Sequence, residues 1–226
     1  MHLDDSVFSD LTPALARAPL DFTLSPGELA SLMASRICHD LISPVGAINN
    51  AMELYEEGIG DKEALQLISM SAASASARLQ FGRFAYGAAG SAGDSVSAPA
   101  AEKLARDYLD TDKIKLSWRA NMPYLAKDAA KLLLNLTILA AASIPRGGAL
   151  NVLTAQDENS RPRLAVQAEG AICRLPAAFA ALYSGKMVKD EVSAHNIQFY
   201  WALLLSDEYD RPLRISEKEG GLYFIV

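Results

Sequence analysis

Residues 25–57 read SPGELASLMASRICHDLISPVGAINNAMELYEE, and this stretch decides the fold. Ser25 suits a helix cap, Pro26 suits the first helical position, and Glu28 stands three residues after the cap, so the segment opens as a capping box. Ala30, Ala34, Ile37, Leu41, Val45, Ile48, Met52 and Tyr55 then recur in steps of three and four. At about 100° per residue they form one apolar stripe. The helix is predicted to run from Pro26 to about Glu57 and to stop at Gly58 and Gly60, with Asp61 opening a second helix that reaches about Tyr86. Leu65, Ile68, Ala72, Ala75, Leu79, Gly82 and Tyr86 repeat the spacing there. Two striped helices joined by a short turn predict an antiparallel hairpin. One hairpin buries little area, so the stripe calls for a partner, and a second copy completing a four-helix bundle is the simplest one.

His39 sits about 160° from the centre of the stripe and is expected to face solvent. Its helical neighbours Ser35, Ser43 and Gly46 are small, which leaves room for a macromolecule to reach the ring nitrogen. Asp40 is placed to orient the imidazole or accept its N–H, and Arg36, one turn away, is a candidate for charge on a phosphoryl group. An inert surface histidine is the plain alternative. The small-residue surroundings and the helix-kinking Pro44 weigh against it. Cys38 cannot pair with His39 as nucleophile and base, because adjacent helical residues point about 100° apart. Neither His2 nor His195 has ligand spacing to His39, so a metal site is the weaker reading.

The remainder of the chain changes character. Residues 1–24 are expected to be a tail or a short docking segment, residues 25–90 the hairpin, and residues 91–226 a second domain. The small-residue run at residues 87–93 supplies the boundary. Helices are predicted over residues 98–109, 126–143, 176–183 and 193–206. Strands are predicted around Ile114–Trp118, over residues 150–155 and 164–168, and as a closing hairpin at residues 213–216 and 222–226 around Gly220 and Gly221. Helices set apart from a mostly antiparallel sheet make this half an α/β sandwich, and the whole chain α+β.

Composition sets the partners. The 226 residues are 50% hydrophobic and 21% charged, with a formal charge of −6 and a pI near 5.1. An acidic surface repels phosphate backbones, so nucleic acid is not an expected partner. The longest apolar runs, Leu132–Leu134 and Leu203–Leu205, are far too short to span a bilayer, so no membrane partner is expected. The first residues lack a basic, then apolar, leader pattern. Two cysteines, Cys38 and Cys173, give neither a disulfide framework nor a cysteine-rich zinc site, and a cytoplasmic location is expected.

The string His39-Asp40-Leu41-Ile42-Ser43-Pro44 resembles the H-[E/D]-x-x-[S/T]-P phospho-acceptor box of two-component sensor histidine kinases. A longer match, residues 35–44 together with residues 80–87, is similar to the alphaproteobacterial histidine phosphotransferase ChpT family. That resemblance implies a dimeric hairpin bundle and a C-terminal domain shaped like a histidine kinase ATPase domain. It implies that His39 and Asp40 carry the chemistry, with Ser35, Arg36, Ile42, Ser43, Gly46 and Arg83 meeting the partner. The partners implied are receiver domains of response regulators and of a hybrid histidine kinase, with Mg²⁺ in the receiver's acidic pocket and no cofactor on this chain.

Compared with a working ATPase domain, the second half lacks three parts. The asparagine box reads Asn135-Leu136-Thr137-Ile138-Leu139, and a leucine cannot coordinate a hard cation. The adenine box reads Ala168-Glu169-Gly170-Ala171-Ile172, without its aspartate or second glycine. Glu169 is no direct substitute, since neighbouring strand residues face opposite ways. The segment Ser193–Gln198, where a phosphate loop would lie, holds no glycine. The expectation is a phosphorelay histidine phosphotransferase that does not bind ATP. An active ATP-dependent histidine kinase and a non-catalytic scaffold for receivers are the alternatives.

Overall fold

The computed structural model describes residue 8 and residues 15–87, 94–109, 113–157, 161–218 and 221–226. Most of the expected tail, all of the expected linker except Gly87, and Gly220 of the expected closing turn lie outside these residues. Helix α1 spans Pro26–Glu56 and α2 spans Asp61–Ala85. The capping box is formed: Ser25 Oγ accepts from the Glu28 amide at 3.3 Å, and the Ser25 amide donates to Glu28 Oε2 at 2.8 Å. The chain reverses at Gly58 (φ 70°) and Gly60 (φ 61°), left-handed positions that a side chain would strain. Inside the hairpin the two helices touch through small residues: Pro44 and Ala51 of α1, and Ala64 and Ser71 of α2, are buried. The predicted stripe is covered only in part: Ile37, Leu41, Ile48 and Ile68 are half-buried and Gly82 is buried. Val45, Met52, Leu65 and Leu79 keep 45%, 39%, 51% and 53% of their surface exposed.

The second half begins with β1 (Ser95–Ser97) and α3 (Ala98–Leu109), followed by β2 (Ile114–Ala120), β3 (Tyr124–Ala126) and α4 (Lys127–Ala142). Then come β4 (Gly148–Gln156), β5 (Pro162–Glu169), α5 (Ala177–Tyr183), a 3-10 turn (Lys189–Glu191), α6 (Ile197–Glu208), β6 (Arg214–Lys218) and β7 (Gly221–Ile225). The main sheet has the order β2-β4-β5-β7-β6, antiparallel except for the β2–β4 pair, whose parallel register sets Leu116 beside Leu150. β1 and β3 form a separate two-stranded antiparallel ladder. Every residue of α4 from Leu132 to Ala140 is buried, as expected of a helix that is apolar all round. On the inner sheet face Leu150, Val152, Leu164, Val166, Leu222 and Phe224 share one core with α4 and α6. Phe8 covers part of the outer face against Leu153, Ala165 and Tyr223, with the Arg163 guanidinium 4.4 Å from its ring centroid.

The last helix begins later than its sequence suggests. Asn196 Oδ1 accepts from the Ser193 backbone amide (2.8 Å), and Asn196 Nδ2 donates to the Glu191 backbone carbonyl (2.9 Å). Residues 193–196 are thereby closed into a turn of their own, and α6 starts at Ile197. His195 therefore stands in a turn and not on a helix.

The two halves share a core, since Leu24, Met33, Phe81 and Ala85 belong to the same buried cluster as Leu136, Ile197 and Leu203. The Ala85 carbonyl accepts from both Asn135 Nδ2 (3.1 Å) and Trp201 Nε1 (3.0 Å). Tyr86 donates to Gln198 Oε1 at 2.7 Å, and Lys131 donates to the Gly87 carbonyl at 2.9 Å. At the start of α1, Glu28 pairs with Lys189 at 2.8 Å. Ahead of it, Arg17 binds Asp207 at 2.6 Å and Phe22 stacks on Tyr200, so this part of the expected tail lies docked on α6. The hairpin thus rests one end on the α/β half and projects the end that carries its turn.

Candidate functional site

α1 carries Ser35, His39, Ile42, Ser43 and Gly46 along one strip, because positions three and four apart stack on a helix face. The His39 side chain is 58% exposed and Ile42 is 73% exposed. Ser35 and Ser43 are also exposed, and a Cβ built on Gly46 would meet nothing within 4 Å. A flat, small-residue surface therefore surrounds the imidazole. Arg83 is exposed in the last turn of α2. Pro44, five residues after His39, is buried inside the helix and brings no N–H to the Asp40 carbonyl.

Asp40 lies beneath this surface with only 12% of its side chain exposed. The Arg36 fork grips it with Nη2 to Oδ1 at 2.9 Å and Nε to Oδ2 at 3.0 Å. Tyr108, from α3, donates to Asp40 Oδ2 at 3.5 Å. Tyr108 is itself held by stacking on Phe81 at 4.3 Å, with the Arg78 guanidinium 5.6 Å from its centroid. Burial works most strongly against the Arg36 charge, but Asp40, Tyr108 and Tyr86 together outweigh it and raise the pKa. Burial, followed by the nearby Asp40 charge, raises the Tyr108 pKa, and burial, followed by Tyr108, raises that of Tyr86. Both phenols stay protonated and able to donate. His39 Nδ1 is 3.7 Å from Asp40 Oδ1, a charge contact rather than a hydrogen bond.

Two residues that meet His39 or Asp40 carry no signal in the local sequence. Tyr108 comes from another element altogether. His195, set aside on sequence spacing, meets His39 with ring centroids 5.0 Å apart and planes at 86°. The one hint was scarcity, since the chain has only three histidines.

At the positions compared with an ATPase domain, Asn135 is fully buried and its amide donates to the Ala85 and Lys131 carbonyls. Leu139 and Ala168 are fully buried in the core. Leu139 and Ala168 do not suit a nucleotide with Mg²⁺: a buried hydrocarbon side chain neither coordinates a hard cation nor hydrogen-bonds a base. Among the described residues no group of three or more His, Cys, Asp or Glu is placed to hold a metal ion, and no helix is long and apolar enough to cross a membrane. Cys38 and Cys173 are both free thiols.

The histidine phosphotransferase C-terminal domain family matches residues 98–221. The protein phosphotransferase ChpT of Brucella abortus (strain 2308) is 44% identical over 205 residues, which cover 91% of this chain and 98% of that one. The solved structure of a bacterial phosphotransferase superposes with a TM-score of 0.83 at 40% identity, covering 92% of this chain and 99% of that one. The chain belongs to the histidine phosphotransferase family, and its activity is phosphotransfer. Within that family it groups with ChpT.

Proposed function

We propose that the chain shuttles phosphoryl groups between receiver-domain aspartates through a phosphohistidine on His39, without ATP. The observation that carries this reading is the exposed imidazole on a strip of small residues above a braced carboxylate. Asp40 beside Nδ1 favours the tautomer that keeps its proton there, so the outward Nε2 holds the lone pair. Nε2 attacks the phosphorus of the receiver's aspartyl phosphate. The N–P bond forms, the P–O bond to the aspartate breaks, and the aspartate leaves as a carboxylate. The ring then carries positive charge, which Asp40 offsets at 3.7 Å. Mg²⁺ belongs to the receiver's acidic pocket. Arg36 and Tyr108 keep Asp40 in place, so positioning accounts for most of the rate.

Ser35, Ile42, Ser43, Gly46 and Arg83 are assigned to the receiver contact, on responder and hybrid-kinase receivers alike. Two hairpins pair into a four-helix bundle, a reading supported by the exposed Val45, Met52, Leu65 and Leu79. The free thiols fit a reducing cytoplasm. One labelling experiment tests the reading. An isolated receiver domain carrying labelled phosphate should transfer it to the chain as acid-labile, base-stable label, while His39→Gln takes none and keeps its fold. Labelled ATP as sole donor should leave the chain unlabelled. Self-labelling from ATP would restore the kinase alternative, and absence of label from every receiver would leave only a scaffold.

A further inference from the structure

His195 approaches the acceptor ring from outside the hairpin, and its own segment is fixed at both ends. Lys189 at one end pairs with Glu28 of α1 (2.8 Å), and Gln198 at the other accepts from Tyr86 (2.7 Å). Between them the Asn196 side chain closes the turn on Ser193 and Glu191. The two exposed imidazoles thus meet at 86° and 5.0 Å, with the His195 ring carried on a turn whose ends are held. We infer that His195 is a positioning residue for phosphotransfer, holding the His39 imidazole edge-on so that one ring nitrogen stays turned toward the incoming receiver.

The physical need is clear. The last torsion of a histidine is broad and roughly two-fold, so an exposed imidazole on a bare helix face samples both ring flips. Asp40 discriminates between the two nitrogens by charge alone, because 3.7 Å is too long for a hydrogen bond. A second ring set perpendicular to the first restricts the rotation that Asp40 leaves free. Edge-to-face pairs are favoured over unpaired rings by an amount equivalent to about a three- to tenfold population bias. The segment that contributes His195 is the one compared above with a phosphate loop; here it is turned toward the acceptor histidine.

The inference rests on His39 being the acceptor, and the test separates the two. Wild type, His195→Ala, His195→Phe and His39→Gln are compared as full-length chains, with an isolated receiver phosphorylated by acetyl phosphate as donor. His195→Ala is expected to lower the maximal transfer rate about three- to tenfold. The half-saturating receiver concentration should stay within about twofold. His195→Phe, which keeps a ring edge but no N–H, should recover most of the rate. NMR of the His39 ring protons should show a shift in the Ala variant that the Phe variant largely reverses. Wild-type rate and unmoved resonances in the Ala variant would overturn the inference, as would a Phe variant as slow as Ala. A raised half-saturating concentration at unchanged maximal rate would also overturn it, by making His195 a docking residue. Label on His39→Gln would instead remove His39 as the acceptor. If no chain is labelled, the NMR comparison still decides whether His195 holds the ring.

Discussion

Asp40 is the residue on which the acceptor surface rests, and its behaviour follows from its partners. A carboxylate with 12% exposure tolerates its charge because the Arg36 fork and the Tyr108 hydroxyl satisfy it. Arg36→Ala leaves that charge enclosed and unpaired. It is expected to destabilise the fold by about 2–3 kcal/mol, read as a lower denaturation midpoint at unchanged slope. Asp40→Ala should cost less, because the Arg36 side chain, 20% exposed, can turn its guanidinium to water. The double variant should be more stable than the sum of the singles predicts, by at least about 1 kcal/mol. Strict additivity would show that the pair is not coupled. At this scale His39, Asp40 and Arg36 were legible because they share one helical turn. Tyr108 and His195 were not, because contact between distant segments leaves no periodic trace in a single sequence. The role read for Arg36 changes accordingly: in this structure its charge pairs with Asp40.

Among the elements, α1 was legible almost to the residue, since cap, proline and stripe all agree. The small ladder of β1 and β3 was not, because three-residue strands are too short for alternation to register. The strand at Ile114–Ala120 was visible, but its parallel pairing with β4 was not, because alternation records a face and not a direction. The start of α6 was placed too early because the Asn196 side chain, and not hydrophobic spacing, sets it. The same region shows an effect of pH. Glu28 is held down to about 2 from its ordinary 4.5, first by its bond to Lys189 and then by those to Ser25. A carboxyl depressed in the folded state stabilises it above the ordinary value, and that contribution is lost as pH falls from 4.5 toward 2. Carboxyl NMR titration should find the Glu28 midpoint near 2, and Lys189→Ala should move it up toward 4.5. A midpoint that ignores the substitution would show that the clip between α1 and the 3-10 turn does not form in solution.

For the whole molecule, the hairpin's projecting end raises the question of assembly. Met52, Leu65 and Met70 remain 39%, 51% and 62% exposed, and complete burial of such side chains stabilises by roughly 1.5–3 kcal/mol each. Introducing charge there with Met52→Glu and Leu65→Glu should give a monomer by light scattering at micromolar concentration. The wild type should be a dimer, and a monomeric wild type with full transfer activity would remove the bundle from the proposal. The periodicity showed that this apolar surface exists, but could not show that Pro44, Ala51, Ala64 and Ser71, outside the stripe, would be buried while Val45, Met52, Leu65 and Leu79 stay exposed. The doubly bonded carbonyl of Ala85 bears on a different matter. With α4 and α6 both hydrogen-bonded to the last turn of α2, the half that bears the histidine and the half that braces it are tied together at that point. On the proposed reading, donor and acceptor receivers meet the same exposed surface around His39. A carrier that meets both partners through the same contacts has no means of favouring one direction of travel. On that reading the direction of phosphate flow is left to the relative transfer potentials and concentrations of the receivers, and the protein conducts like a wire and does not rectify like a diode.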